Sequence, residues 1–427
     1  MTVSLPEDSW FRSAGLGLFV HWDHASAQGL EVSWPMVGGA ANLRHTTSTS
    51  IDRYRSTERT FDPDRFDARE LARTARESGA TYAVLTSRHH NGYAMWPTET
   101  SDRSVAHSRG KRDIVGEYVT AMRAEGLRVG LYYSLSDWNH PDYPAFTDAR
   151  HPYLQPDKTW PWTPAQADRY RDYLRRQLTE LLTWYGPLDV LWFDGEWERT
   201  ADEWRTGELR ELIRTLAPDC VVNDRLLGHG DYATPEQYIP AAPPDGPWEA
   251  CLTMNTSWGH VPQDGDYKSA REILHTLAET VSKGGNLLLN VSPTGDGTLP
   301  AEQRERLAAI AGWMADHREA AVGVRPGLAP GMFYGPTTRR RHDDGSETLY
   351  LYLLAWPEEP IGVRDVPTRR VRSVDLVGVG ELPWEERLAI ADLELPDPSG
   401  ELRVTLPTER PSDVLLPVVR VELGAAR

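Results

Sequence analysis

The sequence predicts an α/β fold, a (β/α)8-like (TIM) barrel followed by a C-terminal antiparallel β-sandwich. Three observations predict it. Short apolar runs alternate with longer helical patterns through the first three quarters of the 427 residues, which is typical of parallel strands joined by crossover helices. Beyond about residue 320 the pattern changes to period-two runs separated by Gly and Pro turns. A barrel of roughly 250 residues or more with a small appended domain accounts for the length.

The elements of the predicted barrel alternate along the chain. Seven apolar runs are predicted to be strands, at 15–22, 81–90, 128–135, 188–195, 221–225, 250–255 and 286–293. Between them, apolar residues recur at i, i+3, i+4 and i+7 in segments predicted to be helices, at 66–80, 113–126, 164–186, 206–218 and 269–285. Seven strands are one short of eight, so we expect an irregular barrel.

The helical pattern at 301–320 marks the expected domain boundary. Four period-two segments follow it, at 347–356, 369–378, 402–407 and 414–423. We therefore predict a catalytic barrel over 1–326 and a β-sandwich over 327–427.

The charge and the apolar runs of the sequence indicate which classes of partner and which cellular location to expect. The formal net charge of −17 disfavours a nucleic acid or an anionic membrane, because such partners need clustered Lys and Arg. No apolar run approaches the ~18 residues of a membrane span, and the stretch MTVSLPEDSW lacks the basic and apolar parts of a secretory signal. We expect a soluble, cytoplasmic protein. The two cysteines, Cys220 and Cys251, are expected to be buried thiols.

Polar side chains follow five of the predicted strands, where a barrel carries its chemistry. These residues are His21, His89, His90, Tyr133, Asp137, Asp194, Asp224 and Arg225. The adjacent histidines suit hydrogen bonds to hydroxyl groups. Zinc is the alternative, although successive strand residues point to opposite faces and no further ligands stand at metal-like spacing.

The carboxylates indicate the function more specifically than the histidines do. Retaining glycoside hydrolysis needs one ionised carboxylate as nucleophile and a second, protonated one as acid. Asp194, at the end of DVLWFDGEWE, is the candidate nucleophile. The candidates for the acid are Glu196, Glu198, Glu236 and Glu249. The first two lie close to Asp194 in sequence, Glu236 lies on a Pro-rich loop that can fold over the barrel mouth, and Glu249 opens a strand.

Seven motifs in unbroken order carry a resemblance to a known family. They are LFVHWD, FDPDRFDARELARTARESGATYAVLTSRHHNGY, VGLYYSLSDW, PLDVLWFDGEW, VVNDR, WEACLTMNTSWGH and GGNLLLNVSPTGDG. Over roughly residues 8 to 320 the chain resembles the α-L-fucosidases of glycoside hydrolase family 29. The resemblance implies a (β/α)8-like barrel, a C-terminal β-sandwich, no metal or organic cofactor, and retaining hydrolysis of terminal α-L-fucosides through a covalent fucosyl-enzyme intermediate.

The resemblance also implies roles for particular residues. Asp194 matches the nucleophile and Glu236 the acid/base, with Glu249 as the alternative; the catalytic pair is expected ~5–5.5 Å apart. The residues expected to bind substrate are His21, Glu31, Trp34, His89, His90, Tyr133, Trp192, Arg225, Glu249 and Trp258. The expected partner is a fucosylated oligosaccharide, and the oligomeric state stays open.

Two positions depart from the family's common pattern, with Asp23 in HWD where HWG is usual and Asn91 in HHNG where HHDG is usual. We expect these changes to alter the rim of the pocket. The SWP loop resembles members that cut α-1,3 and α-1,4 branches. The alternatives are a retaining glycosidase for another sugar and a catalytically weak fucose-binding protein.

Overall fold

A computed structural model describes residues 5–39, 43–46, 48–143, 161–392, 394 and 397–426. The first four residues of the N-terminal stretch considered above lie outside these ranges.

Within the described ranges, seven parallel strands form one sheet. They are β1 (Leu16–Val20), β2 (Tyr82–Arg88), β3 (Arg128–Ser134), β4 (Val190–Asp194), β5 (Val221–Val222), β6 (Glu249–Thr253) and β7 (Asn286–Val291). Their order in the sheet is β5-β4-β3-β2-β1-β7-β6. Each strand overlaps a predicted run, so the prediction of a parallel sheet is confirmed.

Helices connect the strands. They are α1 (Ile51–Arg55), α2 (Ala68–Glu77), α3 (Ile114–Ala124), α4 (Pro164–Trp184), α5 (Ala201–Trp204), α6 (Thr206–Leu216), α7 (Ala270–Ser282) and α8 (Ala301–Ala321). The six longer helices match the predicted segments. Capping residues mark where two of these helices begin: Asp67 accepts hydrogen bonds from two backbone N–H groups of α2, and Ser269 and Glu272 form a capping box on α7.

Strand side chains alternate between two apolar clusters. One set faces the helices. The other set meets in the interior and draws a member from every strand of the sheet, namely Phe19, Tyr82, Val84, Tyr132, Val190, Trp192, Val221, Cys251 and Leu288. Gly17 makes room for this interior, since a Cβ at that position would lie 2.3 Å from the Tyr82 ring. Residues from both edge strands touch the same cluster because the sheet curves around it.

A short extended segment lies between the two edge strands β5 and β6. Asp231 N donates to Val222 O at 2.7 Å on one side, and Cys251 N donates to Pro235 O at 3.1 Å on the other. Isolated parallel bridges pair Asn223 with Tyr232 and Ala233 with Trp248. The two edges of the sheet are thus joined by one piece of backbone, residues 231–237, which we call the linking segment.

The C-terminal part is antiparallel, as predicted. Six strands, β8 (Arg325–Pro326), β9 (Thr337–Arg341), β10 (Glu347–Tyr352), β12 (Val371–Leu376), β13 (Gly380–Glu381) and β16 (Val418–Leu423), form one sheet; β11 (Ile361–Pro367), β14 (Trp384–Arg387) and β15 (Ser399–Val404) form the other. The two sheets share an apolar core that includes Leu351, Val363, Leu402 and Val421. Among the described residues, no α-helix has the length and apolar character needed to cross a membrane.

Candidate active site

A pocket opens where the parallel strands end at their carboxyl termini. Its cavity volume is about 60 Å³. Its walls are lined by Phe19, His21, Trp34, His89, Tyr132, Trp192, Asp194, Trp197, Arg225, Glu236 and Trp258. Eight of these residues were predicted from the sequence.

Asp194 is the last residue of β4 and accepts two strong hydrogen bonds. Arg225 Nη1 donates to its Oδ1 at 2.6 Å, and the Tyr132 hydroxyl donates to its Oδ2 at 2.7 Å. These two bonds fix the orientation of the carboxylate in the pocket. Gly195 follows in the left-handed region at φ 74°, and a Cβ there would lie 2.5 Å from Ser136 Oγ. The glycine therefore lets the chain turn sharply away directly after the carboxylate.

Arg225 joins the two predicted catalytic carboxylates. Its Nη1 bonds Asp194, and its Nη2 donates to Glu236 Oε2 at 2.6 Å. The guanidinium lies 4.6 Å from the centre of the Trp192 ring, a cation–π contact that holds its plane. Both carboxylates therefore face the same pocket across a single cation.

Glu236 reaches the pocket from the linking segment. The bridge between Glu236 and Cys251 sets its position against β6. Gln237, the next residue, has φ 62° and its backbone N–H donates to Cys251 O at 2.9 Å, so the chain turns away directly after the carboxylate. About one third of the Glu236 side chain is exposed, against about one tenth for Asp194. Glu236 thus lies on the solvent side of the pair.

Of the three predicted histidines, His21 and His89 line the pocket, and His90 is buried beside the His89 ring and Asp194. His89 stacks parallel to Tyr132, with ring centres 5.4 Å apart, and His90 Nε2 lies 3.6 Å from Asp194 Oδ2. Burial lowers the pKa of His21 to about 4 and lowers the pKa of His89 and His90 well below the usual value. The neighbouring cations Arg88 and Arg225 lower the pKa of His90 further. All three rings are neutral at pH 7 and suit hydrogen bonds to hydroxyl groups.

One group of side chains in the described part of the chain could hold a metal ion. His89, His90 and Asp194 each offer a ligand atom, and these atoms lie within 4.8 Å of one another. Both oxygens of Asp194 already accept from Arg225 and Tyr132. The Arg225 cation would oppose a second positive charge at this carboxylate, so the surroundings fit an organic ligand better than zinc.

Tyr133 was wrongly predicted to reach the pocket. Its hydroxyl donates to Gln177 Oε1 on α4 at 2.9 Å, and the Arg88 guanidinium lies 4.3 Å from its ring centre. It therefore packs between the sheet and the helices.

The register of β3 explains the error. Tyr132 lies opposite Trp192, and Ser134 lies opposite Asp194. Side chains alternate along a strand, so the positions that share the face of Asp194 are 132 and 134. The pocket tyrosine is Tyr132, and counting by twos from the strand end in YYS would have found it.

Glu31 and Glu249, both predicted to bind substrate, lie behind the pocket lining. Glu31 is buried and accepts from the backbone N–H groups of Trp258 and Gly259 at 2.6 and 3.0 Å. Burial raises its pKa to about 8. Glu249 is also buried and accepts from Trp192 Nε1 at 2.9 Å and from the Tyr82 hydroxyl. These carboxyl groups hold the pocket tryptophans in place.

Three lining residues were not predicted from the sequence, namely Phe19, Tyr132 and Trp197. The period-two pattern identifies Phe19, which lies two residues before His21, as it does Tyr132. Trp197 comes from a 3₁₀ turn directly after β4, Glu196–Glu198, and its ring lies nearly parallel to Trp34 at 6.4 Å. The alternation of side chains ends with the strand, so it does not identify Trp197; the sequence signal was only a tryptophan close after the strand end.

The two departures from the family pattern contact each other. Asn91 Nδ2 donates to Asp23 Oδ2 at 2.6 Å and to the Tyr54 hydroxyl at 2.7 Å, and the residues are fully buried. Asp23 also caps the turn that follows it by accepting from Ala25 N. The pair lies behind the histidine wall rather than at the rim where we expected it.

The pocket combines a carboxylate held at a strand end, a second carboxylate across an arginine, and walls of tryptophan and neutral histidine. Such a site at the carboxyl ends of parallel strands defines a glycoside hydrolase. The chain belongs to the alpha-L-fucosidase family, because the family model described as Alpha-L-fucosidase matches residues 2–319. The resemblance and the prediction of a glycoside hydrolase are confirmed.

Individual relatives agree with the family model. Human tissue alpha-L-fucosidase is 31% identical over 439 residues, covering 96% of this chain and 87% of that protein. The structure of alpha-L-fucosidase isoenzyme 1 from Paenibacillus thiaminolyticus is 31% identical, with a TM-score of 0.81 and coverage of 97% and 98%. The Thermotoga maritima alpha-fucosidase, solved with a mechanism-based inhibitor, is 26% identical, with a TM-score of 0.71 and 96% coverage of each chain.

Proposed function

We propose that this protein is an exo-acting α-L-fucosidase that releases terminal α-L-fucose with retention of configuration, with Asp194 as nucleophile and Glu236 as acid/base. One observation carries the assignment. Arg225 donates to both carboxylates at 2.6 Å, which sets them on two sides of one pocket. The expected separation of ~5–5.5 Å for a retaining pair stays a prediction.

In the first step, a carboxylate oxygen of Asp194 attacks the anomeric carbon and the bond to the aglycone oxygen breaks. The proton of Glu236 passes to that leaving oxygen. In the second step, Glu236 takes a proton from water, whose oxygen attacks the same carbon and displaces Asp194. Two inversions at one carbon give net retention.

The ion pair with Arg225 positions the group that transfers the proton. Arg225 Nη2 donates to Glu236 Oε2 at 2.6 Å. The unprotonated carboxylate is the base of the second step. For the first step Glu236 must hold a proton, and an aglycone oxygen entering beside it supplies the acceptor for that proton.

We further propose that the linking segment completes an eight-membered (β/α)8-like barrel. Its backbone bonds to Val222 and Cys251 join the two edges of the seven-stranded sheet. The proposed domains are the catalytic barrel over 1–326 and the β-sandwich over 327–427. The six-stranded sheet of the sandwich begins at Arg325, next to this boundary.

The proposed substrate is a fucosylated oligosaccharide or glycoconjugate. Trp34 and Trp197 line the pocket beside the proposed nucleophile and offer apolar ring faces to a sugar. A preference for α-1,3 and α-1,4 branches is our proposal for the linkage, and it rests on the SWP loop. A cytoplasmic location stays a prediction.

Proton NMR of the purified protein tests the reaction. We expect an aryl α-L-fucoside to give α-fucose before mutarotation produces the β anomer. A Lewis-type trisaccharide tested in parallel should be cut if the branch preference holds. Appearance of β-fucose first would contradict the paired roles of Asp194 and Glu236.

Three alternatives give different results, two in the same assay and one when a chelator is added. A retaining glycosidase for another sugar would leave the fucoside intact and cut a stereochemical relative such as an α-galactoside. A fucose-binding protein would shift the ligand signals without turnover. A metal-dependent hydrolase would lose activity in a chelator and regain it with zinc, whereas we expect activity to be unchanged by a chelator.

A further inference from the structure

The neighbouring residues His89, which lines the pocket, and His90, which is buried beside Asp194, make different hydrogen bonds at their Nδ1 atoms. We infer that Ser33 and Ser134 are positioning residues that hold His89 and His90 in opposite tautomers, so that His89 presents an N–H group to the sugar and His90 presents a bare nitrogen. The inference deepens the proposed function, because it takes the ligand to be a sugar bearing hydroxyl groups.

Ser33 fixes the proton of His89. Its Oγ lies 2.6 Å from His89 Nδ1 and already accepts the backbone N–H of Asn91 at 2.8 Å. A serine hydroxyl carries one proton. The nearby Tyr54 hydroxyl donates to Val32 O and accepts from Asn91 Nδ2. The Tyr54 oxygen is a second acceptor near Ser33. The contact to His89 Nδ1 is the short one, at 2.6 Å, so we assign the Ser33 proton to that nitrogen and the ring hydrogen of His89 to Nε2.

Ser134 imposes the opposite arrangement on His90. Its Oγ lies 2.7 Å from His90 Nδ1, but it donates its own proton to Ser136 O at 2.7 Å. The Ser134 oxygen must then accept from His90. Ser136 Oγ, at 3.3 Å from the same nitrogen, offers a second acceptor. The ring hydrogen of His90 therefore lies on Nδ1, and Nε2 keeps a lone pair.

The free nitrogen of His90 calls for a hydrogen-bond donor. His90 Nε2 is buried and has no hydrogen-bond partner among the described residues, although it lies 3.6 Å from Asp194 Oδ2. That oxygen already accepts from Tyr132. Two acceptors thus face one another, and a buried acceptor without a donor is costly. A sugar hydroxyl entering beside Asp194 would supply the missing donor by giving its hydrogen bond to His90 Nε2, since Asp194 Oδ2 already accepts from Tyr132.

His21 is held in the same tautomer as His90. Asn290 Nδ2 donates to Trp258 O at 2.8 Å, which turns Asn290 Oδ1 toward His21 Nδ1 at 2.7 Å. His21 must donate from Nδ1, so its Nε2 is bare. Of the three histidines, His89 alone presents an N–H group. The wall should therefore distinguish sugar oxygens that donate from those that only accept.

Nitrogen-15 NMR of the full-length protein with labelled histidine measures these proton positions. Spectra of His89→Gln and His90→Gln assign the two rings. At pH 7 without substrate we expect the hydrogen on Nε2 of His89 and on Nδ1 of His90. The same tautomer in both rings, or a doubly protonated His90, would overturn the inference.

Serine variants test whether the Ser33 and Ser134 hydroxyl groups set the tautomers of the two histidines. In Ser134→Ala we expect His90 to lose its single tautomer and kcat/KM to fall about tenfold, the size of one buried hydrogen bond. Ser33→Ala should do the same to His89. The threonine variants keep the hydroxyl and should keep both tautomers. Ser78→Ala is the matched control, because Ser78 is buried and its Oγ donates only to Ala75 O.

The outcomes separate this inference from the proposed function. Unchanged tautomers in both alanine variants would reject the roles of the serines even in an active enzyme. Opposite tautomers in a protein that cuts no fucoside would reject the fucosidase assignment and leave the proton positions standing. If the alanine variants did not fold, the wild-type spectra and the threonine variants would still decide.

Discussion

Asp194 and Glu249 are both carboxylates inside the same parallel sheet, yet their surroundings differ in kind. Asp194 ends β4 and accepts from the cation of Arg225, whereas Glu249 begins β6 and accepts from two neutral donors, Trp192 and Tyr82. Burial without a cation raises the pKa of Glu249 to about 7. The two carboxyl groups differ in position along the strand and in access to a cation, and these differences support our proposal of Asp194 rather than Glu249 as the reactive group.

Removing the Asp194 carboxylate should have the largest effect. Asp194→Asn keeps the shape but removes the nucleophile, so we expect kcat on an aryl α-L-fucoside to fall at least about 10³-fold. A circular dichroism melt close to that of the wild type would show that the fold is intact. Substantial activity in the folded variant would remove Asp194 from the mechanism.

Glu236 tests the other side of the pair. Glu236→Ala should reduce kcat/KM by roughly 10²–10⁴-fold, most for poor leaving groups, because these need the proton. Azide should restore part of the activity with an activated aryl fucoside by replacing the missing base. Rescue of a Glu249 variant instead would reverse the assignment of the two glutamates.

The Glu249 carboxyl group should matter more for folding than for chemistry. Glu249→Leu leaves the buried Trp192 and Tyr82 donors unpaired, so the free energy of unfolding should fall by about 2–5 kcal/mol. Glu249→Gln keeps one acceptor and should lose less. Denaturant melts of both variants measure the difference, and azide should rescue neither. A stable Glu249→Leu protein with abolished turnover would contradict the comparison.

Glu31 extends the comparison to a third carboxyl group, whose effect shows in the pH dependence of stability. Its folded pKa of about 8 lies above the ordinary value of 4.5, so its contribution to stability is full below about pH 4.5 and is lost as the pH rises toward 8. Between pH 4.5 and 8 the free energy of unfolding of Glu31→Gln should fall less steeply with pH than that of the wild type. The difference in slope should be up to about 1.4 kcal/mol per pH unit. Melts from pH 4.5 to 8 measure the slopes, and parallel curves would contradict this role.

The sequence predicted the elements of the sheet well, because buried strands and amphipathic helices differ in period and length. It missed the linking segment, residues 231–237. This piece contains DYATPEQ, which has no run of apolar residues, and its hydrogen bonds go to strands that the chain reaches before and after it. Only the folded sheet shows that its two edges lie close enough to share this segment.

Site residues could be predicted from the sequence where a polar side chain stands at the end of a predicted strand. Asp194, His21 and His89 were found in this way. The error at Tyr133 came from judging residue type without counting the alternation that fixes Tyr132 as the inward neighbour. Glu31 and Glu249 were assigned to the sugar because a sequence does not show whether a carboxylate meets a ligand or a tryptophan.

The proposed acid/base lies on the part of the sheet with the fewest ladder bonds. Glu236 is carried by the linking segment, whose pairings to its neighbours are isolated bridges. Such segments open at a lower free energy than the central strands. Heat inactivation should therefore precede the loss of helical signal. A sugar bound as proposed, between Asp194 and Glu236, should raise the inactivation temperature more than the melting temperature.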